Sequence, residues 1–330
     1  MSSSAARSSR PLSLGRIAYL LFHRPRTWLQ DRRDRARGRR GDAAMRATVA
    51  TLAPLPLADW GLAGPPCRFL TGDRFVHQTI YCARSFEWAC GTHVRIEIFG
   101  DGTLQPEHAA LLRRSLPGAM VIDEADTVRR LDRLLPAVQF PTLRRMRDHH
   151  PLMRKLLDLH AGFPGPSLYL DSDMLFFHPP VILREWLRRP HGALYMEQEG
   201  NALVGDPAHL GALFGATLAA GVNTGIVAVD DREFDWTELE QAASRLGRSE
   251  QDHIWAEQTL TALHLSRHGA RPLPQSEYRL CHSRADLRGE PPALRHYVHK
   301  SKALYAASEW LLWEQRAQSC PAGPPVPGRA

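Results

Sequence analysis

The chain has 330 residues, 43% of them hydrophobic, which is enough to bury a substantial core as one large domain or two closely joined lobes. Its net charge of +7 invites a nucleic-acid reading, but residues 1–46 hold 12 Arg and 3 Asp, a net +9, which leaves 7 − 9 = −2 for the rest. A nucleic-acid-binding domain would carry its basic face within the fold, so no nucleic-acid partner is expected. The five cysteines, Cys67, Cys82, Cys90, Cys281 and Cys320, form no C-x-x-C pair and are odd in number. That pattern argues against a disulfide framework or a zinc site and for a reducing, cytoplasmic setting.

Taken in order, residues 1–46 read as a basic, disordered leader. The alternative is a peripheral contact at the inner face of a membrane, in which Tyr19, Leu20, Phe22 and Trp28 insert between flanking arginines. The longest apolar run there, residues 17–22, is too short for a membrane span or a signal-peptide core. Residues 47–66 carry Pro54, Pro56, Pro65 and Pro66 and read as a linker. One catalytic domain is expected over residues 67–315, followed by a disordered Pro/Gly tail over residues 316–330.

Within that domain, strand and helix signals alternate. Residues 68–71 form a short strand opening into Gly72-Asp73, followed by a helix over residues 77–90. Strands are expected at residues 94–99 and 119–122, with a helix between them that has Pro106 in its first turn, where proline is tolerated. Residues 143–160 read as a helix split at Pro151. Further strands are expected at 194–196 and 222–230, and helices at 236–246 and 252–264. Strands separated by helices imply βαβ units and a mainly parallel sheet, an α/β fold in which ligands sit beyond the C-terminal strand ends. Thr71, Gly72 and Asp101 stand at such ends, as do Asp73, Asp123 and Asp171.

The stretch that organises the chain is residues 168–177, Leu-Tyr-Leu-Asp-Ser-Asp-Met-Leu-Phe-Phe. It reads as one buried strand entering two carboxylates, Asp171 and Asp173, which project to the same side because alternate strand residues share a face. Adjacent carboxylates repel unless a cation lies between them, and oxygen ligands of this kind suit Mg²⁺ or Mn²⁺. With 19 Asp in 330 residues, chance alone gives about one Asp-x-Asp, so the pair needs its context. That context is Asn223-Thr-Gly225 leading into an apolar strand, Glu257-Gln258-Thr259 on a later helix, and His296-Tyr-Val-His-Lys-Ser-Lys302 near the C terminus.

These stations, in this order, resemble those of the GT-A nucleotide-sugar glycosyltransferases, most closely the retaining family that includes glycogenin and the bacterial lipopolysaccharide galactosyltransferases. The resemblance implies a Rossmann-like sheet and transfer of a sugar (hexosyl transfer, EC 2.4) from a nucleoside-diphosphate sugar, a UDP-sugar above all, to an unknown hydroxyl acceptor of the cell envelope. It implies that Asp171, Asp173 and His296 hold Mn²⁺ or Mg²⁺, that Lys155, Ser172 and Lys302 join Thr71, Gly72 and Asp101 around the nucleotide and its phosphates, and that Asn223, Glu257 and Gln258 line the reacting face. Two departures stand out: His299 replaces the glycine of the family's H-x-x-G-x-x-K, and Ala303 follows Lys302 where proline is usual. A base for inversion would be Glu257 or Asp252; for retention, the leaving phosphate takes the acceptor proton. The competing readings are a non-catalytic nucleotide-sugar binding module, a sugar nucleotidyltransferase, and a haloacid-dehalogenase-type phosphatase. The last wants Thr or Val where Leu175 stands. The nucleotidyltransferase wants a Gly-rich basic signature, which Thr71-Gly72-Asp73-Arg74 is not.

Overall fold

A computed structural model describes residues 24–57 and 62–324. Its centre is a seven-stranded sheet in the order β3-β2-β1-β4-β7-β6-β8, formed by β1 (Leu62–Thr71), β2 (Val94–Gly100), β3 (Met120–Ile122), β4 (Pro166–Leu170), β6 (Leu194–Glu197), β7 (Val222–Asp230) and β8 (Arg271–Leu273). A second sheet of three strands has β10 (Leu294–Tyr297) between β5 (Met174–Phe176) and β9 (Tyr278–Cys281). In the large sheet only β7 runs against the others, pairing antiparallel with both β4 and β6. The expected α/β class, with a mainly parallel sheet flanked by helices, is the observed one.

The strands are apolar on both sides because helices cover both faces. Leu168, Leu170, Ile226 and Ala228 bury into one hydrophobic cluster, while Tyr169, Val227 and Val229 bury into the other. The helices begin and end where their sequences dictate. Asp123 caps the helix Glu124–Leu134 by accepting from the Asp126 amide at 2.7 Å, so one of the four strand-end aspartates is an ordinary cap. The segment around Pro151 splits as expected, into Pro141–His149 and a second helix, Met153–His160.

Three expectations are corrected. First, residues 168–177 are not one strand. β4 ends at Leu170, which pairs with Ile226 in the large sheet, and β5 begins at Met174, which pairs with His296 in the small one. The Asp-Ser-Asp tripeptide is therefore the crossing between two sheets.

Second, residues 24–49 are not a disordered leader. They form a 26-residue helix, α1 (Arg24–Val49), docked on the C-terminal part of the fold. Met45 and Val49 are buried in the core, and Gly41 lies so close to the following segment that a Cβ there would meet the Ala306 carbonyl oxygen at 1.8 Å. Polar pairs complete the seat: ion pairs of Asp31 with Lys300 at 2.7 Å and Asp34 with Arg284 at 2.8 Å, and a hydrogen bond between Asp42 and His77 at 2.7 Å. The helix has no apolar stripe, which is why its sequence looks like a solvated tail; it docks by backbone approach and paired charge instead. Of the residues expected to insert in a membrane, Tyr19, Leu20 and Phe22 lie outside the described residues, and Trp28 is exposed at the start of this helix.

Third, the chain is ordered beyond both expected domain limits. β1 already begins at Leu62 and tolerates Pro65 and Pro66 because its ladder with β2 is interrupted between Leu62 and Cys67. The last helix runs from Trp310 to Ser319, and the Cys320 carbonyl accepts from the Trp88 indole at 2.7 Å.

Candidate active site

The C-terminal ends of β1, β2 and β4 meet the N-terminal end of β7 at one edge of the large sheet. The Asp171 amide donates to the Gly225 carbonyl at 2.8 Å, which sets the Asp-Ser-Asp crossing beside Asn223-Thr224-Gly225. Antiparallel pairing of β5 with β10 then brings His296 to Asp173, and the Tyr297 amide donates to the Asp173 carbonyl at 2.9 Å. Gly225 has a specific duty here. A Cβ at that position would stand 2.5 Å from His296 Cε1, so only glycine lets the imidazole lie against β7.

His296 Nε2 lies 3.1 Å from Asp173 Oδ1 and 3.8 Å from Asp171 Oδ2. One ligand atom from each of Asp171, Asp173 and His296 falls within 4.8 Å of the others, a spread that one cation can bridge. Two ammonium groups flank the carboxylates. Lys155 Nζ reaches Asp171 Oδ1 at 2.8 Å from the buried side, and Lys302 Nζ reaches Asp173 Oδ2 at 2.7 Å from the exposed side. Burial raises the Asp173 carboxyl, but His296 and then Lys302 outweigh it and hold it well below the usual carboxylate range. Burial likewise disfavours charge on Lys155, yet Asp171 and then Glu257 keep its ammonium above the ordinary lysine value. Asp173 and both lysines are therefore charged at neutral pH.

A cleft of about 210 Å³ opens in front of these groups, lined by Thr71, Gly72, Asp101, Lys155, Asp171 and Lys302 among others. Ser172 and Asp173 border it too. Gly72 and Asp101 belong together, since a Cβ at Gly72 would lie 2.1 Å from a carboxylate oxygen of Asp101. Asp101 is held in place by the Thr103 amide and hydroxyl, at 2.9 and 2.6 Å. Thr71 and Ser172 are less available. Both hydroxyls bond Thr79 Oγ1, at 2.7 and 2.8 Å, and so fasten the crossing to the helix Val76–Cys90.

None of the three residues expected on the reacting face lines the cleft: Asn223 is part of β7, and Glu257 and Gln258 lie behind it. Glu257 accepts from Thr224 Oγ1 at 2.8 Å and from Thr261 Oγ1 at 2.9 Å, and burial raises its carboxyl above the usual range. Gln258 accepts from the Thr224 amide at 3.1 Å and donates to the Ala202 carbonyl at 2.7 Å. Asn223 accepts from the Gly225 amide at 2.9 Å and donates to Gln198 at 2.7 Å. Together they fix the backbone of β7, and with it Lys155 and His296. The sequence reasoning missed Tyr169, whose hydroxyl donates to Asp171. Its signal was the two-residue spacing that puts Tyr169 and Asp171 on one side of the strand.

His299 is the one non-glycine residue with positive φ among the described residues, at 52°. The position needs a left-handed backbone, which explains the glycine of the resembled motif. Its side chain is exposed and stacks on His282, with ring centroids 5.5 Å apart.

No family model and no curated protein matches this sequence. Among solved structures, the chain is similar to the galactosyltransferase LgtC in complex with donor and acceptor sugar analogs, at 18% identity and a TM-score of 0.47, covering 80% of this chain and 98% of that one. It is also similar to the bifunctional glycosyltransferase WbbM in its apo form, at 12% identity and a TM-score of 0.48, covering 79% of this chain and 53% of that one. A third likeness is to the glycosyltransferase GlyE of Streptococcus pneumoniae, at 13% identity and a TM-score of 0.44, covering 81% of this chain and 66% of that one. All three are glycosyltransferases, but identities and TM-scores this low assign no family, and the chemistry has to be argued from the site itself.

Proposed function

We propose that the chain is a metal-dependent glycosyltransferase that moves a sugar from a nucleoside-diphosphate sugar, most naturally a UDP-sugar, to a hydroxyl acceptor. The observation that carries this reading is the convergence of Asp171, Asp173 and His296 between Lys155 and Lys302 at the mouth of the cleft. Two carboxylates and one imidazole fit a divalent cation, and the nitrogen ligand suits Mn²⁺ better than Mg²⁺. Asp171, Asp173 and His296 would hold it, and when bound it would neutralise the diphosphate leaving group.

Charge supports the same ligand. The two carboxylates balance the two lysines, so a divalent cation brings the cluster to a net charge of two, opposite to that of a nucleoside-diphosphate sugar. Lys302 is 55% exposed at its side chain, free to turn from Asp173 toward a phosphate, whereas Lys155 is buried and stays to orient Asp171. Gly72 and Asp101 line the same cleft and would receive the nucleoside.

Glu257 cannot serve as a base from where it lies, because both carboxylate oxygens are occupied behind β7. Asp252 is paired with Arg248 at 3.2 Å on the surface. These positions favour the retaining course, in which the leaving phosphate takes the acceptor proton. A panel of UDP-sugars incubated with Mn²⁺, with and without chelator, tests the proposal. Chelator-sensitive release of UDP supports it. No release from any donor while the protein still binds UDP would instead favour a binding module.

A further inference from the structure

The sign of the charge on α1 depends on which side of the helix it faces. All three of its acids pair with the body or along its edge: Asp31 with Lys300, Asp34 with Arg284, and Asp42 with His77 and Arg46. The buried residues Asp34, Gly38, Met45 and Val49 mark the inner face. On the other side, Arg32, Arg33, Arg39 and Arg40 recur at an interval of seven, close to two helical turns, and form one exposed stripe. None of the four has a carboxylate partner among the described residues. Arg35 and Arg37 add to it from the flanks. The gaps are filled by small side chains, Ala43, Ala44 and Ala47. At the start of the stripe Trp28 is 54% exposed and Leu29 47%, and the Arg32 guanidinium sits 4.8 Å from the centre of the Trp28 ring.

We infer that the outer face of α1 is a docking surface for an anionic lipid bilayer. A straight helix with a stripe of unpaired arginines matches a flat anionic plane, and an exposed Trp-Leu pair at its end suits the headgroup level, where indole and guanidinium groups both settle. A nucleic acid would use the arginines and stack a base on Trp28, but has no use for the exposed Leu29 beside it. The inner face of the same helix braces Lys300, two residues from Lys302, so a bilayer under the outer face lies about one helix diameter, ~10 Å, from the loop of the candidate site. The seat of α1 is part of the fold, so this surface cannot be removed by truncation; its charge has to be changed in place. The inference does not depend on the donor chemistry.

The test uses the full chain and co-sedimentation with vesicles of phosphatidylcholine containing about a quarter phosphatidylglycerol. The wild type should bind these vesicles, bind more weakly as salt rises, and leave pure phosphatidylcholine vesicles in the supernatant. Replacing Arg32, Arg33, Arg39 and Arg40 together by Gln should weaken binding about fivefold per arginine, several hundredfold in all, with the thermal midpoint and donor hydrolysis unchanged. Trp28→Ala should weaken it by a smaller factor. Undiminished binding of the four-arginine variant overturns the inference, as does equal binding to neutral vesicles. Displacement from the vesicles by a lower concentration of single-stranded oligonucleotide also overturns it, in favour of a nucleic-acid surface.

Discussion

The large sheet carries a buried charge cluster at each end, and the two are built differently. At the far end, Arg68 pairs with Glu97 at 2.9 Å and with Asp231, donates to the Leu159 carbonyl, and stacks its guanidinium 3.9 Å from the Phe163 ring. Asp231 also takes His160 at 2.7 Å and Ser167 at 2.9 Å on its other oxygen. Arg68, Glu97 and Asp231 are all buried there, and Glu97 takes a further partner from solvent, Arg95, whose side chain is 55% exposed. At the candidate site one partner, Lys302, likewise comes from solvent, and the cluster faces a cleft. Buried charge alone therefore does not mark a site. What separates the two ends is the ligand set: among the described residues, only the candidate site gathers two carboxylates and an imidazole within reach of one cation.

Substitutions at the two ends should break differently. The largest effect is expected from Asp173→Asn, which removes a charged ligand. Metal-dependent donor turnover should fall by at least about a thousandfold, several kcal/mol of lost stabilisation, while the unfolding midpoint stays near the wild type. Next comes Asp231→Ala, which takes from Arg68 one of its two carboxylate partners and from His160 its own, and should cost about 3–5 kcal/mol in urea unfolding. If both variants lost stability equally, the distinction between a structural cluster and a ligand site would fail.

A smaller effect is expected at Gly225. The added methyl of Gly225→Ala collides with the His296 ring, so Mn²⁺ affinity should drop about tenfold with little loss of secondary structure. An unchanged affinity would mean that His296 does not need its seat against β7.

The smallest effect concerns α1 and pH. Burial lowers the pKa of His77 despite its pairing with Asp42, so between pH 7 and about 5.5 the unfolded chain binds more protons at this residue than the folded one. Stability should therefore decline as pH falls through that window. His77→Gln should flatten the decline by a fraction of a kcal/mol in denaturant titrations at each pH. A steeper decline in the variant would show the sign to be wrong.

The contrast also explains what could be read from the residues alone. The Asp-Ser-Asp stretch and the Asn-Thr-Gly strand were legible because apolar runs ending in polar groups are local signals. That one crossing joins two sheets was not legible, because the partner of Met174 is His296, more than a hundred residues away. Glu257 and Gln258 were found but faced the wrong way in expectation; only the packing of their helix against Thr224 shows that they hold β7 in place. The helix α1 was missed outright because its contacts are glycine backbone and paired charge, which leave no hydrophobic periodicity. His299 stood out as a departure from glycine; the requirement at that position is conformational, and a histidine meets it at a φ of 52°.

The central claim is that Asp171, Asp173 and His296 form one cation site that works with a nucleoside diphosphate. Titration of Mn²⁺ followed by electron paramagnetic resonance, with and without UDP, tests it most directly. The account predicts one Mn²⁺ bound per chain, held more tightly when UDP is present, weakened in His296→Ala and lost in Asp173→Asn. Stoichiometric Mn²⁺ binding that survives both substitutions, or none at all with UDP present, would contradict it.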